Sequence, residues 1–98
     1  MKRDVRIEET EKTVEIRDSK DNLKYTVQLL RYETQVKDGE EDIKTVFAYV
    51  VYVYNENNEM ISESEEFLIK REAEREFDKN VSNYSLFVKA QSTPVDSI

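Results

Sequence analysis

Residues 43–54 read IKTVFAYVVYVY. In an extended chain Phe47, Tyr49, Val51 and Val53 share one side, while Val46, Ala48, Val50, Tyr52 and Tyr54 share the other. β-Branched and aromatic residues at this density favour a strand. A strand apolar on both sides belongs inside a sheet, with cover on each face.

The flanking residues supply strands to pair with it. Upstream, Lys37-Asp38-Gly39-Glu40-Glu41-Asp42 holds the only glycine of the chain, and an Asp-Gly pair is a strong turn signal. Before it, Leu23 to Val36 reads as a long strand that changes phase. Leu23, Tyr25, Val27 and Leu29 share one side, and the apolar set then moves to Leu30, Tyr32 and Val36. Such a shift predicts a β-bulge at Leu29-Leu30, or a strand that passes under two different layers. Ser19-Lys20-Asp21-Asn22 is a turn cluster. Val14 and Ile16 alternate with polar residues over 13–17, as Val5 and Ile7 do over 4–8, which predicts two short strands joined by a loop at 9–12.

Downstream, Asn55-Glu56-Asn57-Asn58 is a loop leading back through Glu59-Met60-Ile61-Ser62. The period then becomes helical. Ile69, Ala73 and Phe77 fall four residues apart, which predicts a helix over about 65–79, with Ser64 as its N-cap and Asn80 at its stop. Tyr84, Leu86, Val88 and Ala90 alternate again and predict a last strand over 84–90. The expected fold is α+β, a mostly antiparallel meandering sheet of about five or six strands with one helix packed on one face, in the order β-β-β-β-β-α-β. Residues 1–91 form a single domain and 92–98 a flexible C-terminal tail. One helix covers one face only. The other face of strand 43–54 needs curling of the sheet, the N-terminal hairpin or a second chain, and a homodimer is a common solution.

Composition narrows the chemistry. The 98 residues contain no cysteine and no histidine, which removes thiolate nucleophiles, the usual general base near neutral pH and the commonest zinc ligands. A single glycine in a turn rules out a glycine-rich phosphate loop. Asp38 to Asp42 offers oxygen atoms but lacks the calcium-loop spacing, so no metal and no cofactor are expected. The carboxylate groups, such as Glu8 with Glu9, or Glu63 with Glu65 and Glu66, fall in loops or at element ends, where solvation keeps them ionised and unspecialised. No enzymatic activity is expected.

The net charge of −7 disfavours nucleic acid and anionic membranes as direct partners. No apolar stretch approaches the roughly 20 residues of a membrane span, and MKRDVRIEE carries no apolar segment behind its basic residues, so a cytoplasmic protein is expected. The sequons at Asn80 and Asn83 then carry no meaning.

Two features remain to carry function. Tyr49, Tyr52 and Tyr54 crowd one strand, either as ordinary strand residues or as interface aromatics with apolar rings and polar tips. Glu40, Glu41, Asp42, Glu56, Glu59, Glu63, Glu65 and Glu66 form either a solubilising rim or a negative surface imitating nucleic-acid phosphates. In composition the chain is similar in kind to virus- or plasmid-encoded inhibitors of bacterial defence enzymes. The expectation is a non-catalytic acidic binding protein, an inhibitor that occupies the basic surface of a nuclease or DNA-binding protein. The alternative is a structural or assembly protein, a homodimer joined through an apolar sheet face.

Overall fold

Tyr25 to Asp38 pairs residue by residue with Asp42 to Asn55, with no interruption of register, and this long hairpin is the spine of the molecule. The computed structural model describes residues 7–39 and 42–92. Among these are strands β1 (Ile7–Arg17), β2 (Leu23–Asp38), β3 (Asp42–Asn55) and β4 (Met60–Glu63), then one helix, α1 (Lys70–Ser92). The sheet order is β1-β2-β3-β4, and every neighbouring pair is antiparallel. An α+β fold with an antiparallel meander is thus observed, and the apolar 43–54 stretch is one of its two inner strands.

The strand count is lower than expected, for two reasons. Residues 7–17 are one strand, not two with a loop at 9–12. Thr10 pairs with Leu30 and Lys12 with Leu29, leaving Glu11 as one extra residue on β1. That residue switches the odd position Glu9 to the even positions Val14 and Ile16 on the same face. The bulge expected at Leu29-Leu30 therefore lies across the ladder from those residues. Within β2 itself the change of phase is a change of layer, because Val27 and Leu29 join the core under α1 while Tyr32 joins a cluster on the opposite face.

The second reason is the expected strand 84–90, which is the latter half of α1. Ala73, Phe77, Val81, Tyr84 and Val88 follow one another at spacings of three and four and belong to a single core cluster. Asn80 does not stop the helix. Its side-chain amide donates to the Glu76 carbonyl at 2.9 Å, one turn back, and stays within it. The start is also later than expected. Ser64 is no N-cap, because its hydroxyl accepts the Val51 N–H at 2.9 Å, and Phe67 exchanges two backbone bonds of 2.8 Å with Tyr49. Pairing with β3 thus holds 64–67 extended, and the first helical bond runs from Ala73 N–H to the Ile69 carbonyl.

The turns follow ordinary local chemistry. Gly39 takes φ +85°, a conformation that explains the only glycine although a side chain there would meet open space. Asp18 accepts N–H bonds from Lys20 and Asn22, both 2.9 Å, across the β1–β2 turn. Asn55 does the same for Asn57 and Glu59 across the β3–β4 turn.

Helix α1 crosses the face formed by Ile16, Val27, Leu29, Val51 and Val53, pressing Ala73, Phe77 and Val88 into it. It starts beside the bulge, where Lys70 lies 3.4 Å from Glu11, and ends past Tyr25, whose ring centre is 4.7 Å from that of Tyr84. A 23-residue helix is about 35 Å long. The 16 residues of β2 reach about 50 Å, so the hairpin runs on past the helix as a ribbon. The molecule measures 69 × 24 × 17 Å, with a radius of gyration of 17.6 Å against the roughly 13 Å usual at this length.

Candidate binding surface

The helix leaves the opposite face of the sheet without a second layer among the described residues. Alternation places Thr26, Gln28, Leu30 and Tyr32 of β2 there, opposite Tyr54, Tyr52, Val50 and Ala48 of β3. Tyr32, Ala48 and Val50 form a cluster, 4%, 0% and 3% exposed, and Tyr52 packs against it. The Tyr52 and Tyr54 rings stand 6.3 Å apart. In the ladder Glu63 lies opposite Tyr52 and Met60 opposite Tyr54. The Tyr32 hydroxyl donates to the carboxylate of Glu66, which ties the connection between β4 and α1 to this face.

The residues expected to bind are divided by this arrangement. Tyr52 and Tyr54 share the helix-free face, while Tyr49 packs on the other side with the core under α1. The acidic groups do not gather at one end. Glu40 and Glu41 lie outside the described residues, and of Asp42 only its backbone pairing with Asp38 is described. That pairing is at the start of β3, whereas Glu56 and Glu59 are in the turn after its end, 14 strand residues away. Glu56 sits 3.9 Å from Lys24, and Glu59 accepts from the Asn55 side chain at 2.9 Å. Glu63 and Glu65 are exposed along the β4 edge. Glu66 is committed to Tyr32. Of these groups Glu63 lies across the ladder from Tyr52, and Glu56 follows Tyr54 by two residues in the turn.

Other charges hold the fold together. Arg31 lies between Glu9 and Glu11, and Lys70 also reaches Glu11, so the bulge, β2 and the helix start share one ionic cluster. Arg31 also stacks on Phe47, 4.7 Å from the ring centre. The perturbed groups belong to turns and packing. The Asn22 N–H, then that of Lys20, holds Asp18 below the usual carboxylate range. The Glu15 hydrogen bond raises Arg17, and burial raises Tyr25 beside Tyr84.

The grooves are shallow. One of them, about 390 Å³, lies between Val14–Ser19 and Ser85, Val88 and Lys89. Both its carboxylates are already engaged, Asp18 by turn N–H groups and Glu15 by Arg17 at 2.8 Å. Among the described residues no group of three or more Asp, Glu, His or Cys is gathered as a metal site requires, and no helix is long and apolar enough to cross a membrane.

The role of Tyr32 was missed from sequence, although a signal for it existed. A turn centred on the Gly39 region pairs Asp38 with Asp42, and the same register puts Tyr32 opposite Ala48, on the side of Tyr52. The reach of Glu66 has no such local sign. Comparison with known proteins gives no matching family model, no matching curated protein and no matching solved structure.

Proposed function

We propose that the chain is a non-catalytic binding protein whose helix-free sheet face occupies a basic surface on a partner protein. The observation that carries this reading is the pair Tyr52 and Tyr54, side by side on a face no helix covers, with Glu63 directly across from Tyr52. Tyrosine brings contact area and a polar tip at little entropic cost, and flanking carboxylates select a cationic partner. The net charge of −7 extends that preference over long range. Proteins that handle nucleic acids carry such basic surfaces, so a nuclease or DNA-binding protein is the partner class, and inhibition by occupancy is the activity. An anti-defence inhibitor of viral or plasmid type fits this reading.

A homodimer through the apolar residues of the same face is less well supported. Tyr32, Ala48 and Val50 are already buried within one chain, which leaves little apolar area for a second copy to cover.

The test is capture of partners on the immobilised chain after nuclease treatment, followed by affinity measurements across a salt series. A partner with a basic groove should bind more weakly as salt rises, and Glu56→Lys with Glu63→Lys should abolish retention. Binding indifferent to both salt and charge reversal would overturn the reading.

A further inference from the structure

The edges of the sheet are protected unequally. On β1 the outer edge carries Glu8, Glu9, Lys12, Glu15 and Arg17 and is broken by the bulge at Glu11, devices that discourage another strand from adding. Along β3 the outer edge is covered only in part. β4 pairs with Tyr52 to Tyr54, then Ser64 pairs with Val51 and Phe67 with Tyr49. Beyond Tyr49, among the described residues, 42–48 have β2 on one side and no strand on the other. Tyr49 and Val51 direct their N–H and C=O groups toward Phe67 and Ser64. By the alternation of an antiparallel strand, Ile43, Thr45 and Phe47 direct theirs to the same, open side. This stretch has no proline and no bulge, and its two charged residues are Asp42 at its very start and Lys44. Phe47 is 43% exposed beside it, and Leu68 and Ile69, 68% and 55% exposed, follow the residue that closes the covered part.

We propose that this edge pairs with the same edge of a second copy, the two β3 strands running antiparallel about a two-fold axis through Thr45. Unpaired backbone groups in a row call for an extended chain, and three features select β3 itself. A foreign strand laid along 42–48 would run on into Phe67, whereas β3 begins at its hairpin turn and stops opposite Ala48. Two-fold pairing about Thr45 uses the whole open length on both copies, with Thr45 bonded to Thr45 and Ile43 to Phe47 in both directions. Lys44 then faces Val46 of the second copy, so over 43–47 no carboxylates oppose each other despite the net charge of −7 on each chain. The product is a continuous antiparallel sheet of eight strands, four from each copy. It leaves Tyr52, Tyr54 and Glu63 outside the join.

Sedimentation equilibrium of the full chain from micromolar to millimolar concentration should show a monomer–dimer equilibrium. Thr45→Pro should leave the monomer folded, because the lost N–H points away from β2, and should abolish the dimer. Thr45→Glu and Thr45→Lys each place like charges at the axis and should raise the dissociation constant at least about tenfold, while mixing the two should restore a heterodimer. If Thr45→Pro unfolds the ribbon, the Glu and Lys pair decides alone. A monomer throughout the range, or a dimer that survives Thr45→Glu and Thr45→Lys, overturns the proposal. Neither result bears on the partner-binding face, which is read by Glu56 and Glu63.

Discussion

The phenol of Tyr32, near the middle of β2, donates a hydrogen bond to Glu66, 34 residues later in the connection that leads into the helix. The bond fixes the connection to the face opposite the one the helix covers. A hydrogen bond to a charged acceptor contributes more than a neutral one. Tyr32→Phe should therefore lower stability by about 1.5–3 kcal/mol in urea denaturation. Glu66→Ala should lose a similar amount, and the double variant should lose clearly less than the sum.

Continuity of the helix through Asn80 predicts a strong response at Ser85. Ser85→Pro should lower stability by about 3 kcal/mol or more, because it removes an internal helical bond and clashes with the preceding turn. At an outward-facing position of an edge strand the same change would be mild. Thermal unfolding with far-ultraviolet dichroism separates the two outcomes.

At the other end, the helix begins on Ile69, which accepts the first helical bond and offers no side-chain acceptor to the free N–H groups. Ile69 is 55% exposed, so little packing is lost on replacement. Ile69→Asp should raise stability by about 1 kcal/mol and the midpoint of thermal unfolding by roughly 4–8 °C.

Asp18 gives a pH-dependent prediction. The N–H groups of Asn22 and Lys20 favour its ionised form and lower its folded pKa beneath the ordinary aspartate value. A lowered folded pKa means stability that is present above the unfolded value and lost as pH falls through the folded one. The stability difference between the native chain and Asp18→Ala should thus be constant near neutrality and shrink on acidification below about pH 4. A difference that grows in acid would contradict this assignment.

The large lines of the fold were legible because they rest on residue pattern. Both faces of 43–54 are apolar, Gly39 marks the hairpin, and Ala73 and Phe77 mark a helix. The strand expected over 84–90 failed because short windows of alternation do not distinguish periods. Tyr84, Leu86, Val88 and Ala90 alternate, yet Tyr84 and Val88 also continue a helical stripe begun at Ala73, and burial under α1 settles the matter. The parity switch between Ile7 and Val14 fits a loop or a single bulge. Only the pairing of Thr10 and Lys12 with Leu30 and Leu29 distinguishes them. At the candidate surface, the side of Tyr52 and Tyr54 followed from alternation. The spread of the glutamates could not be read, since it depends on which end of β3 each turn closes.

The strictly consecutive order of the sheet has a consequence for synthesis. Each strand can zip onto its predecessor as the nascent chain lengthens, because no pairing skips a neighbour. The lid, however, comes last. Until Phe77 and Val88 have been made, Val27, Leu29, Val51 and Val53 lie bare to solvent on a finished but sticky sheet. A chain cut short after Glu63 would hold every described strand and no shield, a ready seed for aggregation.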